Sequence, residues 1–138
     1  MKDLYLIFIT LILGVGNAWP QEVNQVSVEI LSKTTNSWNG EALPPYPQGT
    51  PEITIEKYLI PGNTTLAWHK HPVINAGVMM RGQLTVVTKA GKSLHLSKGD
   101  TIVETVHTWH RGINEHSEPV EIIVFYAGVL DKPLTIQE

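Results

Sequence analysis

Short runs of alternating apolar and polar residues, broken by glycine and proline, follow one another along the chain. Val26, Val28 and Ile30 alternate with Ser27, Glu29 and Leu31, the period-two signature of a strand with one buried face. Residues 37–50 carry Gly40, Pro44, Pro45, Pro47 and Gly49, too many breakers for a helix, so a loop is expected there. Ile53, Ile55 and residues 58–60 give a second strand, closed by the Pro61-Gly62 turn. Further strand-like runs cover residues 66–71, 78–80, 84–88, 93–96, 101–106 and 121–126. Between them, Arg81-Gly82, Ala90-Gly91, Lys98-Gly99-Asp100 and residues 114–119 have turn composition. No segment keeps an apolar stripe at helical spacing over three turns. Many short strands at close spacing predict an all-β sandwich or barrel.

The start of the chain reads differently. Lys2 leads into an apolar stretch from Leu4 to Leu13, followed by Gly14, Gly16 and Ala18, the pattern of a secretory leader cleaved after Ala18. The stretch is shorter than the ~20 apolar residues of a membrane span, so no stable membrane anchor is expected, and the mature chain is placed in the periplasm or outside the cell. The 138 residues suit one domain. They divide into a leader at 1–18, an N-terminal strand and Pro/Gly-rich loop at 19–50, a barrel core at 51–130 and a tail at 131–138.

Composition narrows the chemistry. A net charge of −3 with no run of Lys or Arg argues against a nucleic-acid partner. With no cysteine, disulfides, thiolate metal sites and a Cys nucleophile are excluded. Histidine is what remains. His69 and His71 stand two apart in a strand, so their side chains share a face, and two neutral imidazoles on one face can converge on a transition-metal ion. Alone, the pair reads better as hydrogen-bonded surface histidines. A second group, His107 and His110, follows, far enough along for a barrel to bring it back beside the first.

The spacing carries a resemblance. Gly62, His69, His71, Asn75 and Gly82 are followed, after residues 83–98, by Gly99, Thr105, His107, His110 and Asn114. This order resembles the two motifs of the cupin superfamily, with Asn75 where that family has a glutamate, Thr105 for its proline and His107 for its second glycine. The resemblance implies a cupin-type double-stranded β-helix, a jelly-roll-like barrel. It implies that His69, His71 and His110 hold one divalent transition metal, Fe, Mn, Ni, Cu or Zn. Asn75 stands at the carboxylate position, where an amide oxygen donates more weakly and brings no charge. Glu104, on the strand leading to His110, either replaces that carboxylate or faces outward. His107 is a fourth ligand, a proton shuttle or an exposed rim residue. As catalytic candidates, Glu104 and His107 are the residues able to act as general acid or base.

Cupins are functionally diverse, so the fold leaves the reaction open. A small-molecule ligand is expected, with a metal-dependent dioxygenase, isomerase or lyase as the enzymatic reading. The alternatives are a non-catalytic periplasmic module binding a sugar or organic acid, and a dimerisation barrel with a vestigial site. A homodimer is expected, because exposed sheet edges need covering. Trp68 and Trp109 are either pocket walls or packing aromatics, Met79 and Met80 core residues, and His95 and His116 solvated. Arg81 and Arg111 are surface arginines unless they meet an anionic substrate.

Overall fold

The computed structural model describes residues 25–138; the expected leader at 1–18 lies outside them. Ten strands form: β1 (Pro51–Ile60), β2 (Thr64–Thr65), β3 (His69–Lys70), β4 (Ile74–Arg81), β5 (Gln83–Thr88), β6 (Ser93–Ser97), β7 (Thr101–Val103), β8 (His110–Asn114), β9 (Val120–Val129) and β10 (Ile136–Gln137). Among the described residues there is no helix, and hence none able to cross a membrane. The strands build a four-stranded sheet, β1-β9-β4-β7, and a six-stranded sheet, β10-β3-β8-β5-β6 with β2 against β8. All the ladders are antiparallel. This is the expected all-β, cupin-type jelly-roll barrel.

Alternation decides which side chains enter the barrel. In the long β1–β9 ladder, running from Pro51↔Val129 to Ile60↔Val120, Ile60, Val120, Ile122, Val124 and Tyr126 are buried. Met79, Leu84, Val86, Leu96 and Ile102 meet them from β4, β5, β6 and β7. Burying each such side chain contributes about 1.5–3 kcal/mol, and together they hold the two sheets face to face.

The turns are built on the glycines of the motif. A Cβ on Gly62 would fall 2.1 Å from the Ser117 carbonyl oxygen, so only glycine lets the two loops approach there. Beside it Asn114, 1% exposed, sends its amide N–H groups to the carbonyls of Ile60, Pro61 and Glu118 and accepts from the His116 backbone N–H. One side chain thus ties three segments together.

The structure departs from the sequence reading in several places, the short strands β2 and β10 among them. Residues 26–31 are not a strand: Val26 and Val28 are 96% and 88% exposed, and the segment joins no ladder among the described residues. Alternation prepares a segment for a ladder but does not supply the neighbouring edge. β7 stops at Val103, short of the expected Val106, β8 emerges as a separate strand, and β4 begins earlier, at Ile74. Residues 37–50 form the expected loop, closed by an isolated bridge between Asn36 and Ala42.

Candidate metal centre

Register brings the histidines together. His69 on β3 lies directly opposite His110 on β8, and His71, two residues on, is joined by a bridge to Val106. The three rings stand 4.5 to 5.2 Å apart, centroid to centroid. One ring nitrogen from each lies within 4.8 Å of the other two.

Hydrogen bonds determine which nitrogens those are. His69 Nδ1 donates to the Ala67 carbonyl at 2.9 Å, His71 Nδ1 to that of Leu134 at 2.8 Å and His110 Nδ1 to that of Thr108 at 2.9 Å. A carbonyl only accepts, so each Nδ1 carries the proton and each Nε2 keeps a bare lone pair. Desolvation pushes His71 down to about 4 and also lowers His69 and His110, so all three are neutral at pH 7.

A carboxylate meets them from the opposite sheet. Ala76 pairs with Val103 in the β4–β7 ladder, and one step further the Glu104 N–H donates to the Asn75 carbonyl. Glu104 is therefore the cross-strand neighbour of Asn75 and points to the same face. Its Oε2 stands 3.3 Å from His110 Nε2. Burial pushes its carboxyl up to about 7, against the opposing pull of His69 and the Thr105 backbone N–H. Glu104 Oε2, His110 Nε2 and Asn75 Oδ1 are all buried without a hydrogen-bond partner. Acceptor atoms gathered in this way are destabilising, by about 1–3 kcal/mol for each unsatisfied group, unless something positive lies among them. Three imidazoles with an adjacent carboxylate fit a divalent transition metal.

The centre opens into a cavity of about 210 Å³ walled by Ile60, Leu66, Leu84, Val86, Ile122 and Val124. Its polar lining adds Tyr58, Tyr126, Thr135 and Gln137 to the metal-centre residues. The Tyr58 and Tyr126 hydroxyls lie 3.0 Å apart, and Tyr58 donates to Glu56. The tyrosines and the C-terminal residues escaped the sequence reading; the inward phase of Tyr58 and Tyr126 on their strands was the available signal.

His107 is not part of this group. Its side chain is exposed and absent from the cavity lining. Its backbone is in the left-handed region, φ 63°, at the position where the cupin motif carries glycine, and its N–H donates to the His71 carbonyl at 2.8 Å. The residue makes a turn that supports His71. His107→Gly is accordingly expected to leave metal content unchanged without lowering the melting temperature, as the left-handed backbone suits glycine. A loss of metal in that variant would return His107 to the site.

Other candidates also fall outside. Trp68 and Trp109 do not line the cavity; Arg111 stacks on Trp68 at 4.4 Å and Lys70 on Trp109 at 4.7 Å. Arg81 reaches only the Pro119 carbonyl. Met79 is core, whereas Met80 is 43% exposed. His95 is exposed and bonded to Thr85, and His116 is exposed.

No curated protein sequence matches the chain. Solved structures match it at the level of fold. A cupin-like protein from Thermotoga maritima superposes with TM-score 0.56 at 17% identity, covering 62% of this chain and 64% of that one. The DMSP lyase from Ruegeria pomeroyi gives 0.55 at 15% identity, covering 62% and 42%. An oxalate oxidase in complex with the substrate analogue glycolate gives 0.54 at 19% identity, covering 62% and 45%. The chain thus spans less than two thirds of each. The family model described as "Cupin domain" matches residues 57–126, half of the chain and the stretch that carries every histidine of the triad. The chain belongs to the cupin family.

Proposed function

We propose that this is a secreted small cupin that holds one divalent transition metal (Fe, Mn, Ni, Cu or Zn) on His69, His71, His110 and Glu104, and that binds a small organic molecule in the adjoining cavity. The observation that carries the reading is the convergence of buried, unpartnered acceptor atoms from both sheets. Asn75 lost the carboxylate that the family motif places there, which on its own favours a metal-free binding module. Glu104, delivered one strand over onto the same face, supports the metal-binding reading instead. A bound metal supplies Lewis acidity, and redox chemistry where it is iron or copper. The chain's own residues orient the ligands, wall off water with aliphatic side chains and offer Tyr126 as a hydrogen-bonding group toward the organic molecule. Dioxygenase, isomerase and lyase chemistry are all open to such a site. Elemental analysis of chain exported to the periplasm and purified without a metal-binding tag tests this. Close to one equivalent of metal is expected. No metal, and no thermal shift on adding Fe(II), Mn(II), Ni(II), Cu(II) or Zn(II), would overturn it.

We further propose that the protein is a homodimer through the outer face of the four-stranded sheet. Ladder rows there read Ile53–Ala127–Ile74 and Ile55–Phe125–Ala76–Val103, and Ile53, Ile55 and Leu59 are 56%, 66% and 64% exposed. These apolar rows, bordered by the Lys57–Glu121 ion pair, with β1 at the edge of the sheet among the described residues, form a docking surface. The unpaired arm beginning at Val26 supplies the occupant. It is held beside β7, where the Thr101 hydroxyl donates to the Leu31 carbonyl, at the edge opposite β1. A two-fold axis parallel to the strands sets one copy's β7 edge over the other's β1 edge, so each arm meets its partner's open strand. Analytical ultracentrifugation is expected to give a dimer for the native chain and a folded monomer for Phe125→Arg. A native monomer at micromolar concentration would refute the arrangement.

A further inference from the structure

We propose that the C-terminal residues 131–138 are a positioning strap for His71, separable from the barrel that carries the rest of the site; the proposal rests on the metal-centre reading above. The three imidazoles are not held alike. His69 and His110 each donate from Nδ1 to a carbonyl two residues back in their own segment, Ala67 and Thr108. Neither acceptor belongs to the strap. His71 instead donates to the Leu134 carbonyl, 63 residues away, with the Thr135 hydroxyl 3.3 Å from the same nitrogen.

Among the described residues the strap has few attachments, several of them at the site. It leaves β9 by a turn in which Lys132 N–H donates to the Val129 carbonyl and Asp131 takes φ 64°. Leu134 then packs, half-buried, against the core and lies over Gly128, where a Cβ would meet it at 3.4 Å. Among the described residues β10 pairs only with β3, setting Gln137 opposite His69. Glu138 ends the run, donating its N–H to the Trp68 carbonyl and ion-pairing with Lys89. Thr135 and Gln137 form part of the cavity wall. The strap lies beyond residue 126, where the family match ends.

A two-residue ladder, one half-buried leucine and an exposed ion pair hold little, so the strap opens without unfolding the barrel. When it opens, His71 loses the acceptor that keeps the proton on Nδ1, and Nε2 no longer presents a fixed lone pair. Coupling is reciprocal: an ion that needs His71 in this tautomer must also favour the closed strap.

The test uses the full chain and its Ile136→Pro variant, in which proline disrupts the β10–β3 pairing. Two-dimensional NMR of the imidazole nitrogens, on metal-free protein, is expected to show His71 as the Nδ1–H tautomer in the native chain and as a mixture in the variant, with His69 and His110 unchanged. Titration with Co(II) is expected to bind about 10–100-fold more weakly to the variant, with a shifted visible spectrum. In the native chain Co(II) is expected to slow amide exchange over residues 134–138. An unchanged His71 tautomer in a variant shown by its amide spectrum to have lost the β10–β3 contacts overturns the strap. So does a native-like Co(II) affinity and spectrum in that variant. If the native chain binds no Co(II), the metal reading fails, and the tautomer measurement still decides the strap.

Discussion

His110→Ala is expected to reduce affinity for a divalent transition metal by more than about 100-fold, beyond the 10–100-fold typical of losing an outer-shell partner, while the chain remains folded. His110 is the hinge of the centre. It is 1% exposed, it faces His69 across the ladder, and its Nε2 is the nitrogen closest to Glu104. Removing it leaves His69 and His71 as a bare pair and strands the Glu104 carboxyl. Glu104→Gln is expected to weaken binding by at least about 10-fold, since an amide matches the shape of a carboxylate without its charge. The double variant Asn75→Glu, Glu104→Asn should recover part of that loss, because positions 75 and 104 are cross-strand neighbours facing the same ion. Isothermal titration with Zn(II) or Co(II) measures all three. A double variant no better than Glu104→Gln would mean that the carboxylate matters through something other than the metal.

Asn114→Ala is expected to destabilise the fold by about 2–4 kcal/mol, a fall of roughly 10 °C in melting temperature for a domain of this size. The amide sits between the turn after β1 and the loop before β9, bonded to three carbonyls and one N–H. Alanine leaves those carbonyls buried beside a void instead of beside a donor, which is worse than never having made the bonds. Differential scanning calorimetry reads the shift directly, and an unchanged midpoint would show that water satisfies the carbonyls equally well. The cupin motif's final Asn is, on this view, a staple for the barrel floor, with no part in the metal centre.

How far the chain could be read follows from the range of the interactions involved. Turn glycines, breaker-rich loops and period-two runs are local, and they were enough to place most strands and the all-β class, the barrel being implied by the resemblance to the cupin motifs. The triad was legible for the same reason: His69 and His71 share a face by strand geometry, and the motif spacing implied that His110 joins them. Glu104 was left open between ligand and outward-facing residue, because a strand residue's face depends on which strand it pairs with and in what register. The observed alignment of Ala76 with Val103 settles its direction. His107 was left open between ligand, proton shuttle and exposed rim residue for a related reason. Its chemistry was visible in the sequence, but the left-handed backbone that turns its side chain to solvent was not.

Composition and alternation therefore carried the all-β class, the shared face of His69 and His71 and the lack of cysteine, while the resemblance to the cupin motifs implied the barrel and the third imidazole. Register and long-range closure were decided only in three dimensions. They set Glu104 beside Asn75, sent the arm at Val26 out of the barrel and brought the Leu134 carbonyl to His71. Each of those outcomes joins positions far apart in sequence, where no local pattern records the pairing, and the free energy that selects it comes from the packed barrel as a whole.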